Sequence, residues 1–109
     1  MTKFEEEFKK MVDKAYGTAK KHGWHDTPRS DGEVLCLMHS EISEALQALR
    51  DGNLPDKHCP QFSSLEVELA DVVIRIMDYA GDKSLDIAGA IEVKMAYNET
   101  RPYKHGKKF

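Results

Sequence analysis

Residues 63–80 read SSLEVELADVVIRIMDYA, and the fold turns on how this stretch is read. Leu65, Val67, Leu69, Val72, Val73, Ile74, Ile76 and Met77 cover most of the circumference of a helix. A helix that apolar belongs near the centre of a bundle. Ser63-x-x-Glu66 supplies its start, the hydroxyl accepting from a free backbone N–H while the glutamate reaches back. The expected span is about Ser64 to Ala80, with Gly81 as the stop signal. Glu68, Asp71, Arg75 and Asp78 interrupt the apolar surface at spacings of 3, 4 and 3, on one helical face.

Working backwards, Ser30-x-x-Glu33 opens a second helix over about Asp31–Arg50, with Val34, Leu35, Leu37, Met38, Ile42, Ala45, Leu46 and Leu49 as its apolar positions. Asp51-Gly52-Asn53 ends it, and Pro55 and Pro60 keep the next stretch irregular. Thr2-x-x-Glu5 opens a first helix over about Lys3–Lys21, its apolar stripe being Phe4, Phe8, Met11, Ala15 and Ala19. Gly23 closes it, and His22–Ser30 is a loop. Working forwards, Ser84 is expected to cap a fourth helix over about Leu85–Asn98, lying antiparallel to the third across a short connection. No strand pattern competes. The expectation is an all-α, four-helix bundle-like subunit in one domain over residues 1–101, with a basic tail over residues 102–109.

Composition bounds the function classes. The chain has 109 residues, 40% apolar and 32% charged, with a formal net charge of -3, which excludes a disordered or low-complexity chain. The longest strictly aliphatic run is Val72-Val73-Ile74, far short of the roughly 20 residues a bilayer requires. The acidic start shows no secretory signal, and Cys36 and Cys59 read as reduced thiols, so a cytoplasmic location is expected. Cys36 reads as core, with no nucleophilic role. Net negative charge with no basic stripe outside the tail argues against nucleic-acid binding. The five histidines make no zinc signature, and no glutamate is followed three residues later by histidine, which argues against a di-iron bundle.

Charge is unevenly spread. Residues 31–82 hold eleven acids against three Lys/Arg, whereas residues 94–109 hold five Lys/Arg against Glu99 alone. Within the acidic part, Glu41 and Glu44 on the second helix repeat the i, i+3 spacing of Glu68 and Asp71 on the third. That spacing leaves two side chains about 60° apart on one face, where like charges repel. No Lys or Arg occurs between Asp31 and Leu49 to relieve the first pair, and Glu41 has Leu37, Met38 and Ala45 as neighbours. On the third helix Arg75 stands four residues beyond Asp71 and could pair with it. Either pair alone reads as a solvated stripe. Two pairs on adjacent helices make four oxygen ligands for a hard cation, Mg²⁺ or Mn²⁺. Lys94, Asn98 and Arg101 share a face of the fourth helix and suit phosphate oxygens, although cations there also complement the helix dipole.

Glu41-x-x-Glu44 followed by Glu68-x-x-Asp71, with the later Lys94, Asn98 and Arg101, resembles the MazG-like nucleoside triphosphate pyrophosphohydrolases over roughly Gly23 to Arg101. The resemblance implies Mg²⁺-dependent cleavage of a nucleoside triphosphate, NTP or dNTP, to the monophosphate and pyrophosphate. It implies an intertwined oligomer, a homodimer or homotetramer. By position it makes Glu41, Glu44, Glu68 and Asp71 the metal ligands, with Glu41 or Glu44 accepting the proton of the attacking water. It sets Lys94, Asn98 and Arg101 against the phosphates, and Trp24, with His25 or His22 beside it, against the base. Ser40 stands where the family often has the first of two consecutive glutamates. The contrasting expectation is a non-catalytic helical oligomerisation or nucleotide-binding module whose acidic stripe is wet surface.

Overall fold

The computed structural model describes the whole chain, Met1–Phe109, as four helices: α1 (Lys3–Lys21), α2 (Asp31–Arg50), α3 (Ser64–Lys83) and α4 (Ile87–Glu99). A short 3-10 turn follows at Tyr103–Gly106, and the sole extended pairing is an isolated bridge between Pro55 and Ser63. The starts follow from local hydrogen bonds. Thr2, Ser30 and Ser63 each accept the backbone N–H of the residue three ahead, at 3.1 to 3.2 Å. Ser63 completes a reciprocal box, its own N–H donating to Glu66 at 3.1 Å, which holds the Glu66 carboxyl below the usual range. At Thr2 the hydroxyl donates to Glu92 of α4 at 3.1 Å, so this cap also ties the first helix to the last.

α3 is the central element. It packs against α2 on one side and α1 on the other, while α4 rests on α1 and does not run along α3 as its antiparallel neighbour. Asp31 meets Tyr79, and Glu41 meets Arg75, so α2 and α3 run antiparallel. The connection between them is well anchored: Leu65 N–H donates to the Asn53 side chain at 2.9 Å and Ser64 N–H to the Leu54 carbonyl at 2.8 Å.

Two expected punctuation marks serve other purposes. Gly81 lies inside α3, where an added Cβ would sit 2.7 Å from the Tyr16 Cβ of α1. It is a close-approach glycine between two helices. α3 ends instead at Ser84, which adopts the left-handed conformation (φ 56°), with Leu85 N–H bonding back to Ala80 at 2.9 Å. Ser84 thus closes α3, and Asp86 caps α4 by accepting from Gly89 N–H at 2.9 Å.

The bundle is open. Only six residues are buried: Glu41, Ala45, Ala48, Met77, Ala80 and Ala88. The accessible surface is 8474 Å², against about 6,100 Å² for a compact monomer of this mass. The radius of gyration is 16.3 Å, against about 13 Å for a compact chain of this length. Leu35, Ile42, Leu46 and Leu49 form an apolar stripe on α2, each about half exposed.

Candidate metal centre and adjoining cleft

The α2–α3 pairing brings three carboxylates together. Glu41, Glu44 and Glu68 each offer an oxygen, all within 4.8 Å of one another. Glu41 is 8% exposed, and its Oε1 accepts from Arg75 Nε at 2.7 Å. Arg75 therefore pairs across the helix interface with Glu41, not along its own helix with Asp71. One oxygen of Glu68 is buried without any hydrogen-bond partner. A carboxylate oxygen in that position is costly unless a donor or a cation meets it.

The electrostatics agree. The Glu44 carboxyl is raised above its ordinary value by hydrogen bonding and repulsion with Glu41, then by burial and Glu68. Glu68 is raised by burial first, then by Asp71 and Glu41. Asp71 is raised by burial and by Glu41, with Arg75 opposing. Three acids that hold protons above their ordinary range form a site that gains from a cation, since a cation removes the repulsion that favours the proton. An all-oxygen donor set suits Mg²⁺ or Mn²⁺ and not a soft metal. Asp71 stands outside the close group of three and faces the cleft beside it.

That cleft, about 530 Å³, runs between α1, the His22–Ser30 connection and α3. Glu41 and Asp71 form the wall nearest the carboxylate group, and Met11, Ala15 and Ala19 of α1, with Ile74 and Met77 of α3, form the apolar walls. The apolar stripe of α1 is thus partly a cleft wall. Trp24 lines the cleft and is 59% exposed. His22 lines it as well. His25 does not. Its Nε2 lies 2.7 Å from Asp78 Oδ1 and its ring packs tilted against Tyr16, centres 4.9 Å apart, so it fastens the connection to α3.

Lys94 and Asn98 lie on α4, but Arg101 falls beyond its end at Glu99, so the three do not share one helical face, and none of them lines this cleft. Lys94 Nζ lies 4.7 Å and the Arg101 guanidinium 5.5 Å from the Tyr97 ring centre, both cation–π contacts. The Asn98 side-chain oxygen is buried without a partner. Residues that sequence reasoning missed are Lys14 and Arg29, which line the cleft. Lys14 falls between the stripe positions Met11 and Ala15, and Arg29 immediately precedes the α2 cap, where neither spacing nor composition marks it. Comparison of the chain with protein-family models, with curated proteins and with solved structures gives no match.

Proposed function

We propose that this chain is a Mg²⁺-dependent hydrolase that cleaves a nucleoside triphosphate, NTP or dNTP, to the monophosphate and pyrophosphate. The observation that carries the reading is the meeting of Glu41, Glu44 and Glu68 within 4.8 Å, opening through Glu41 and Asp71 onto a cleft that holds Trp24. The resemblance to the MazG-like enzymes points the same way. Glu41, Glu44 and Glu68 hold the cation, with Asp71 beside them. Bound there, Mg²⁺ supplies positive charge to offset the polyphosphate and lowers the pKa of water. Arg75 engages Glu41, which leaves Glu44 the freer carboxylate to take the proton of the water that attacks the α-phosphorus. Pyrophosphate leaves, its charge held by cationic side chains. The aromatic face of Trp24 offers the base a stacking surface.

A cytoplasmic homodimer or homotetramer completes the reading. Its support is the unusually large accessible surface and the bare α2 stripe. No helix is long and apolar enough to cross a membrane. The same stripe favours a second reading, a non-catalytic oligomerisation module. Ile42→Glu should then convert the assembly to monomers by sedimentation without altering any ligand response. The deciding experiment is a nucleotide panel assayed with Mg²⁺ for pyrophosphate release, with the nucleoside product identified. Absence of turnover with every nucleotide, together with a melting midpoint unmoved by Mg²⁺ plus nucleotide, refutes the hydrolase and leaves the module.

A further inference from the structure

Two cations in the cleft lining are left unpaired by its carboxylates. Arg75 is engaged by Glu41 at 2.7 Å, and Asp78 is engaged by His25 at 2.7 Å. Lys14 and Arg29 make no salt bridge and no side-chain hydrogen bond, and Asp71 is the sole lining carboxylate left uncommitted. Arg29 is also partly buried. Its guanidinium has no acceptor within the chain, and an anion entering the cleft would supply one. The planar fork of Arg29 matches phosphate oxygens two at a time, and the Lys14 ammonium adds a mobile point charge from α1.

We infer that Arg29, assisted by Lys14, is the anion-holding side of the cleft and grips the polyphosphate of a nucleotide whose base rests on Trp24. The identity of the ligand rests on the function proposed above. The placement supports it in two ways. Trp24 and Arg29 flank His25, whose bond to Asp78 fixes the connection that carries both against α3. An aromatic face and a guanidinium are thereby held in the lining of one cleft that also includes Glu41 and Asp71. Lys94 and Arg101, the cations that the resemblance favours, lean on Tyr97 and do not line this cleft.

Trp24 is the single tryptophan of the chain, so its fluorescence reports on the cleft without any requirement for turnover. The full chain is titrated with inorganic tripolyphosphate, with a nucleoside, and with a nucleoside triphosphate analogue whose α,β bridge is methylene. Each titration is run with Mg²⁺ and with chelator. Arg29→Gln should weaken the analogue and tripolyphosphate by about tenfold or more while nucleoside affinity stays unchanged. Lys14→Gln should weaken both anions by a smaller factor, and Arg29→Lys should recover part of the loss. Unchanged analogue affinity in Arg29→Gln overturns the inference. So does an equal loss for nucleoside and analogue, which would make Arg29 a loop-shaping residue. Binding of no anion by the wild-type chain overturns it as well. Arg29-dependent binding with no pyrophosphate release from any nucleotide would sink the hydrolase and leave this anion site standing. Pyrophosphate release undiminished in Arg29→Gln would do the reverse.

Discussion

The α2–α3 seam and α4 carry the two chemically suggestive sets of this chain, and they meet their surroundings differently. On the seam, Glu41, Glu44 and Glu68 face one another across two antiparallel helices that pack along their length, and Arg75 crosses to Glu41. At α4, Lys94 within the helix and Arg101 just beyond its end turn to Tyr97, and Val93 and Met95 are largely exposed. The contrast shows that residues spaced for one helical face become a cluster when a second element is packed against that face. The seam has that partner within the chain. α4 rests on α1, and its basic face is left to whatever approaches it.

The largest expected effect lies at the seam. Glu44→Gln and Asp71→Asn should each lower Mg²⁺-dependent pyrophosphate release by about a hundredfold or more while circular dichroism stays helical. Wild-type rates in both would break the comparison. Glu68→Gln should separate metal from fold, because it removes one of three crowded charges. The variant should melt higher than wild type without Mg²⁺ and should lose the Mg²⁺-induced shift of the midpoint.

Gly81→Ala tests the other seam, between α1 and α3, without touching a carboxylate. The added methyl meets the Tyr16 Cβ at 2.7 Å, and overpacking of this kind costs about 1–3 kcal/mol. Thermal unfolding should show that loss. Mg²⁺ binding by the carboxylate group should persist if the two seams are independent.

A pH series sharpens the contrast further. Glu44 and Glu68 lie above their ordinary value of 4.5 and Asp71 above 3.8. A folded pKa above the unfolded one means that the fold binds the proton more tightly. The resulting stabilisation is complete below the ordinary value and is lost as pH rises through the raised one. In chelator, the melting midpoint contributed by these groups should therefore fall as pH rises from 4.5, and Mg²⁺ should flatten that slope. Glu66 has the opposite sign, its lowered pKa adding stability above 4.5 that is lost as pH falls. The smallest effect belongs to α4. Lys94→Gln and Arg101→Gln should change the melting midpoint of the isolated chain by no more than about 0.5 kcal/mol equivalent. Any larger effect on turnover, appearing only at concentrations where the chain associates, would show that a second copy supplies these cations.

Much of this architecture was legible in the residues. The bounds of α1 and α2 follow from Ser/Thr caps and apolar periodicity, both local properties. The i, i+3 carboxylate pairs were legible for the same reason, and the lack of any intrahelical cation beside Glu41 and Glu44 marked the seam. Gly81 misled because a glycine after an apolar run reads as a stop, whereas here it admits Tyr16. Ser84 misled because a serine before a helix reads as its cap, whereas its left-handed backbone closes the preceding helix.

By itself, the sequence determined which segments coil, where most of them begin, and which faces carry acid. Those outcomes depend on hydrogen bonds and side-chain spacing within a few residues. Only the tertiary structure decided that Arg75 answers Glu41 and not Asp71, and that His25 bonds Asp78 instead of lining the cleft. It alone set Lys14 and Arg29 in the lining of that cleft. Each of these depends on the rotation and offset of one helix against another. Long-range packing fixes that geometry, and no local pattern encodes it.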